Sequence, residues 1–186
     1  MANPDVTGVL LVGGASRRFG SAKALARLEG ETLAERAYRT LGQAFGSVIA
    51  VGKADDRLAL PFPVVDDGSE VRAPIVGVAA ALRLAATELC VFLPTDMPLV
   101  TAGLLVGLAD AAQGIDAAVP QTGPLPGAYR RSVLPVLERR IELEELSLAG
   151  ALADLEARVV PMAEESLRNA NTAAELAAIA ASRSGP

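Results

Sequence analysis

The sequence predicts an α/β fold in which helices cover both faces of a mostly parallel β-sheet. Short apolar runs rich in β-branched residues alternate with longer helical patterns, and this order is typical of parallel sheets. Hydrophobic residues make up 51% of the sequence, much of it alanine and leucine, which favours helices. We therefore expect three layers in a Rossmann-like arrangement. One domain over residues 1–186 is expected from the usual size of about 100–200 residues, with a frayed polar tail at about 180–186.

The predicted elements follow one another along the chain with few gaps. The expected strands are residues 9–12, 47–51, 63–65, 89–93 and 117–120, with a further candidate at 158–162. The expected helices are residues 33–41, 76–87, 101–113, 132–142 and 147–156, and a last one from about residue 172. Thr101 is a predicted N-cap, and Thr172 with Glu175 forms a predicted capping box. Between residues 120 and 132 we expect irregular structure.

The loop after the first strand carries the strongest functional signal. It opens with Gly13-Gly14 and then presents Arg17, Arg18 and Lys23. Glycines at a strand end let backbone amides approach a ligand closely, and basic side chains beside them suit a polyphosphate. The spacing matches neither the P-loop nor the dinucleotide G-x-G-x-x-G pattern. An ordinary surface turn with solvated arginines is the alternative.

Carboxylates and amides follow other predicted strands. Asp96 lies between Pro94 and Pro98, where it can hold Mg²⁺ through hard oxygen atoms or cap a turn. Either carboxylate of Asp66-Asp67 can bind a ribose or base, or simply open a turn. Carboxyl ends of parallel strands share one edge of a sheet, where ligands bind. We therefore expect these groups to lie on that edge. Two amide side chains near the last helix can offer neutral oxygens to a metal or substrate, those of Asn169 and Asn171.

Composition excludes several kinds of site. The chain has no histidine, so Ser-His-Asp and Cys-His catalysis and histidine-ligated metals are excluded. Cys90 is the single cysteine and sits in an apolar run, which predicts a buried, inert thiol. A net charge of −5 argues against a nucleic-acid partner. No apolar run is long enough for a membrane span and no leader pattern is present. These features predict a soluble cytoplasmic protein.

Several motifs resemble those of the molybdenum cofactor guanylyltransferases, within the nucleotidyltransferase-like class. The first loop, LVGGASRRFGSAKAL, is similar to the family's L-A-G-G-x-S-x-R-M-G-x-D-K-A-L. Later segments are similar to other family motifs, in family order: APIVGVAAAL, PTDMPLV, GPLPGAYRRSVLPVLE and NANTAAEL. The matches run from about residue 9 to 176, nearly the whole chain. The resemblance implies a three-layer nucleotidyltransferase fold.

The resemblance also implies roles for individual residues. Leu11, Val12 and Gly13 would meet the guanine or ribose, and Gly14 would lie close to the phosphates. Lys23 and Arg18 would stabilise phosphate charge as catalytic groups. Asp67 would contact the nucleoside. Asp96 would bind both Mg²⁺ and nucleotide, with Asn171 as a further metal ligand.

The implied reaction moves GMP from GTP to molybdopterin with release of pyrophosphate, using Mg²⁺. Transient contact with molybdoenzymes or cofactor-delivery proteins is implied as well. Gly52 stands where relatives often carry an asparagine that touches the nucleotide, which implies weaker base discrimination. Two alternatives remain open. The first is cytidylyl transfer to the same cofactor, or nucleotidyl transfer to another small phosphate, and the second is a nucleotide-binding module without turnover. Gly14 favours the guanine branch, Ala22 and Gly52 favour the non-catalytic module, and Lys23 and Asp96 oppose it.

Overall fold

The computed structural model describes residues 2–13 and 23–183. Within these residues nine strands are present, and seven of them form one sheet. The strands are β1 Asn3–Val12, β2 Arg27–Leu28, β3 Glu31–Thr32, β4 Phe45–Gly52, β5 Val65–Asp66, β6 Leu89–Pro94, β7 Ala117–Pro120, β8 Gly127–Arg130 and β9 Ala157–Val160.

Six α-helices and five short 3-10 helices connect these strands within the same described ranges. The α-helices are α1 Leu33–Ala44, α2 Pro74–Leu84, α3 Ala102–Ala111, α4 Leu134–Glu142, α5 Leu148–Ala151 and α6 Ala173–Arg183. The 3-10 helices are Lys23–Leu25, Ala54–Asp56, Arg131–Val133, Leu152–Asp154 and Glu164–Leu167. The predicted N-cap of α3 is present, since Thr101 Oγ1 accepts from Leu104 N at 3.4 Å. No helix in the described part of the chain has the length and apolarity that a membrane crossing needs.

The large sheet is mostly parallel, as predicted. Its strand order is β5-β4-β1-β6-β8-β7-β9. The first four of these strands are parallel to one another, and β8 alone runs antiparallel to both of its neighbours. The chain proceeds from β1 outward to β4 and β5 and then returns to the other side of β1 with β6. This reversal makes the carboxyl ends of β1 and β6 the topological switch point, where ligands bind in open α/β sheets.

Alternating side chains of the central strands fill a core on each face of the sheet. Leu10 of β1 and Leu93 of β6 belong to the core packed beneath α1 and α3. Val9 and Phe92, their neighbours in sequence, belong to the core packed beneath α2 and α4. Successive strand residues point to opposite faces, so both faces of these strands are buried and the three-layer prediction is confirmed.

Strand β8 was not predicted. It lies between β6 and β7, inside a stretch expected to be irregular. The strand is four residues long and begins at Gly127 directly after a cis Leu125–Pro126 bond. Proline and glycine normally mark turns, so they obscure so short a strand. Its Tyr129 is fully buried, and the ring lies edge-on to Phe92 at a centroid distance of 5.7 Å.

Other departures are local. The hairpin of β2 and β3 turns through Glu29 and Gly30, both with positive φ, as a type I′ turn requires. The helix expected over 147–156 is shorter, because α5 ends at Ala151 and a 3-10 helix follows. Helix α6 continues into the expected frayed tail as far as Arg183. Cys90 is fully buried, as predicted.

Candidate active site

A cleft lies along the carboxyl edge of the parallel strands. Its volume is about 370 Å³. Five of the predicted site residues line it: Leu11, Val12, Gly13, Asp67 and Asp96. Its other walls come from Val51 to Lys53, Arg72 to Pro74, Gly77, Pro94, Met97, Leu125 and Asn169. The cleft therefore sits at the switch point between β1 and β6.

The two carboxylates lie at opposite ends of this cleft. Asp67 directly follows β5, and Asp96 follows β6 by two residues. Strands β4 and β1 lie between them in the sheet. Three strand spacings of about 4.8 Å each separate the two strand ends, which is a suitable span for a nucleotide.

Lys23 connects Asp96 to the C-terminal segment. Its ammonium donates to Asp96 Oδ2 at 2.8 Å and to Asn171 Oδ1 at 2.7 Å. The Lys23 side chain is 9% exposed, and that of Asp96 is 25% exposed. Lys23 and Asn171 are not among the residues that line the cleft. The three predicted residues therefore form one hydrogen-bonded cluster.

Local backbone structure holds this cluster in place. The amide of Ala170 donates to the carbonyl oxygen of Asp96 at 2.8 Å, which ties the segment before α6 to the end of β6. Glu175 accepts from the amides of Asn171 and Thr172 at 2.6 and 2.9 Å. Its own amide donates to Thr172 Oγ1 at 3.1 Å. The predicted capping box is present and also fixes the backbone of Asn171.

The paired carboxylates after β5 have different surroundings. Asp66 accepts from the amides of Ala54 and Gly68 at 2.6 and 2.8 Å. These two backbone hydrogen bonds hold the pKa of Asp66 below its ordinary value. Asp66 therefore organises the turn, whereas Asp67 lines the cleft.

Lys53 is a site residue that the sequence did not indicate. It follows β4 and lines the cleft, and its ammonium lies 2.7 Å from Asp67 Oδ1. Their side chains are 10% and 6% exposed. A lone lysine after a strand has no local signature, because its acceptors come from a different loop. Arg72 and Leu125 also line the cleft; Arg72 carries no motif signal, whereas Leu125 lies in the segment GPLPGAYRRSVLPVLE.

Gly52 has no space for a side chain. A Cβ atom on it would collide with the carbonyl oxygen of Val12 and lie 3.1 Å from Val64 Cγ1. Because Gly52 is paired with Val12 in the sheet, only a backbone shift could admit a side chain. An asparagine at this position is incompatible with the strand packing seen here.

Two predicted site residues, Gly14 and Arg18, lie outside the described residues, as do Arg17 and Ala22. The remaining predicted site residues fall into two groups. One group lines the cleft, and the other is Lys23 with Asn171, which the Lys23 ammonium connects to Asp96. No group of three acidic or cysteine side chains that could hold a metal occurs in the described ranges. The arrangement can bind a polar, elongated ligand across the strand ends and bring a cation to its Asp96 end.

Comparison with known proteins identifies the family. The profile of the MobA-like NTP transferase domain matches residues 8–160. A probable molybdenum cofactor guanylyltransferase of Pelotomaculum thermopropionicum is 31% identical over 88% of this chain and 82% of that protein. A second, from Opitutus terrae, is 35% identical over 86% of each chain.

A solved structure agrees with these sequence relatives. Molybdopterin-guanine dinucleotide biosynthesis protein A from Archaeoglobus fulgidus matches with a TM-score of 0.81 and 25% identity. The match covers 96% of this chain and 98% of that one. The resemblance seen in the sequence motifs is therefore confirmed. The chain belongs to the MobA-like NTP transferase family and is a nucleotidyltransferase.

Proposed function

We propose that this chain transfers GMP from GTP to the terminal phosphate of molybdopterin and releases pyrophosphate. The observation that carries the proposal is the placement of Asp67 and Asp96 at the two ends of one cleft. A carboxylate at the Asp67 end suits the donor groups on the edge of guanine. The Asp96 end, with Lys23 bound to it, suits the phosphates. GTP would then lie across the ends of β4 and β1.

The chemistry needs no general base, which agrees with a chain that has no histidine. A phosphate oxygen of molybdopterin is already anionic near neutral pH. It forms a bond to the α-phosphorus of GTP, and the bond from that phosphorus to the bridging oxygen of pyrophosphate breaks. Catalysis then depends on positioning and on neutralising phosphate charge. Lys23 supplies a positive charge next to Asp96.

The residues near Asp96 fit a magnesium ion. Mg²⁺ prefers hard oxygen ligands and usually binds through one or two carboxylates together with substrate phosphates. Asp96 Oδ2 and Asn171 Oδ1 are such oxygens, and both accept from Lys23. When bound, Mg²⁺ would neutralise charge on the phosphates. Lys23 would have to release at least one of these oxygens, and its ammonium would then be free to donate to a phosphate.

The wall that contains Leu125 is the expected side for molybdopterin. Tyr129 is fully buried, and its hydroxyl donates to the carbonyl oxygen of Pro124 at 2.7 Å. This bond holds the backbone beside Leu125, which lines the cleft. Molybdopterin would then enter the cleft near residues 124–131.

Labelled nucleotides test the proposal directly. Purified protein is incubated with molybdopterin, Mg²⁺ and GTP labelled at either the α- or the γ-phosphate. We expect the α-label in the pterin product and the γ-label in pyrophosphate. Neither labelled product should form when EDTA is added. Transfer from labelled CTP in preference to GTP would assign cytidylyl transfer instead. GTP binding without transfer would identify a nucleotide-binding module.

A further inference from the structure

We propose that Lys53 is a positioning residue that determines base selectivity by orienting Asp67. This inference rests on the proposed function, since it assumes that the base lies at the Asp67 end of the cleft. It concerns a residue with no predicted role in the sequence motifs.

The ammonium of Lys53 has three acceptors. It donates to Asp67 Oδ1 at 2.7 Å, to the carbonyl oxygen of Ser69 at 2.5 Å and to that of Val71 at 2.6 Å. A lysine ammonium carries three hydrogens, so all of them are used. Lys53 has none left for a ligand in this arrangement and must act through the groups that it holds.

These contacts fix one oxygen of Asp67 and leave the other available. Oδ1 accepts from Lys53 and also from the amide of Ser69 at 3.0 Å. Among the described residues none donates to Oδ2, while Asp67 lines the cleft. The Asp67 amide also donates to the carbonyl oxygen of Gly52 at 2.9 Å. Both the backbone and the side chain of Asp67 are therefore constrained.

The ligand chemistry follows from this geometry. Because Oδ1 of Asp67 is already paired with the Lys53 ammonium, Oδ2 is the oxygen that can accept hydrogen bonds from a ligand. It suits a base that presents N–H groups on its edge. Guanine presents an imino and an amino group there, whereas adenine presents a ring nitrogen acceptor beside its amino group. A correctly oriented Asp67 thus favours GTP over ATP. Without Lys53 the buried carboxylate would lose its counter-charge and its fixed orientation.

A double-mutant cycle tests the inference by calorimetric binding of GTP and ATP. The proteins are wild type, Lys53→Met, Asp67→Asn and the double variant. We expect Lys53→Met to lower the ratio of GTP to ATP affinity by roughly 10-fold or more, because a hydrogen bond to a charged acceptor is lost. ATP affinity should stay within about 3-fold. Asp67→Asn should lower the ratio similarly, and the double variant no further, because coupled residues are non-additive.

A matched control is Arg83→Met, which removes an exposed ion pair with Glu138 outside the cleft and should leave both affinities unchanged. Thermal unfolding checks that each variant is folded. If Lys53→Met does not fold, Lys53→Gln keeps a donor for a backbone carbonyl and is measured in the same way. An unchanged GTP-to-ATP ratio, or an equal loss of both nucleotides, would overturn the role of Lys53 and leave the proposed function intact. Wild-type protein that binds neither nucleotide would overturn the proposed function itself.

Discussion

The ammonium of Lys23 lies 2.8 Å from Asp96 Oδ2 in a cluster that also includes Asn171. A lysine from the first loop therefore occupies the space between the two oxygens that the sequence predicts as metal ligands. A bare Asp96 would offer an unneutralised carboxylate beside incoming phosphates. Lys23 offsets that charge, and in the proposed reaction a cation and a nucleotide would replace the contact.

We expect Asp96→Asn to remove most nucleotidyl transfer while the fold remains intact. The amide keeps the size of the carboxylate and an oxygen that accepts from Lys23, but it lacks the charge that attracts Mg²⁺. Transfer of the α-label at several Mg²⁺ concentrations measures the loss, and circular dichroism checks the fold. The assignment of Asp96 fails if the folded variant keeps near wild-type turnover.

We expect Lys23→Ala to weaken GTP binding through the phosphates. Loss of a charge-assisted hydrogen bond should cost roughly 1.5–3 kcal/mol of binding free energy. Calorimetry compares GTP with guanosine, which lacks phosphates. A suitable control is Arg168→Ala, which removes an exposed ion pair with Glu165. Equal loss of affinity for GTP and guanosine would show that Lys23 does not contact phosphate.

We expect GTP to be preferred over CTP and ATP, but by a smaller margin than a family member with an asparagine at the corresponding position would show. Gly52 supplies no side-chain amide. One missing neutral hydrogen bond is worth about 0.5–1.5 kcal/mol, or roughly 3- to 10-fold in discrimination. Competition among equal concentrations of the three nucleotides measures the preference. A clear preference for CTP would move the chain to the cytidylyltransferase branch.

Restoring the asparagine is not expected to sharpen selectivity, although the sequence alone suggests that it should. A Cβ atom at Gly52 would collide with the Val12 carbonyl oxygen. We expect Gly52→Asn and Gly52→Ala to be destabilised by about 1–3 kcal/mol, as overpacked sites are. Chemical denaturation measures this change. Gly42→Ala is the control, because Gly42 lies in α1 with nothing within 4 Å of its added Cβ; equal stability of Gly52→Ala and Gly42→Ala would contradict the steric argument.

The parallel half of the fold could be predicted because its strands are long, apolar and buried on both faces. Strands β1 and β6 contain such runs; Gly13 directly follows β1, and β6 ends at Pro94 at the edge of the cleft. The position of Asp96 follows from the end of β6, whereas Asp67 follows the two-residue strand β5. In contrast, β8 depends on pairing with a strand distant in sequence. The proline before it and the glycine at its start are typical of a turn.

The contacts within the site were harder to predict than its members. Lys53 reaches acceptors 14 to 18 residues away on another loop, and no local pattern encodes that reach. The lack of space at Gly52 likewise depends on Val12 in the neighbouring strand. Sequence patterns locate the strand ends, whereas side-chain partners require the register between strands.

The thiol of Cys90 should be unreactive in the native protein. It is fully buried, and burial raises its pKa to about 12. The thiolate is the reactive form, so a disulfide reagent at pH 8 should label Cys90 only after denaturation. Rapid stoichiometric labelling of the native protein at pH 8 would contradict the buried placement of the thiol.

The raised pKa of Cys90 also affects the stability of the protein. Above pH 9, near the ordinary thiol pKa of 9.0, the unfolded thiol ionises while the native thiol keeps its proton. The free energy of unfolding should therefore fall as pH rises, by at most about 1.4 kcal/mol per pH unit from this group. Cys90→Ala should flatten this slope between pH 9 and 10. The buried hydroxyl of Tyr129, whose pKa burial also raises above its ordinary 10.0, is present in both proteins and lowers the stability of both mainly above pH 10. Denaturation curves of the wild-type protein and of Cys90→Ala across this pH range measure the two slopes.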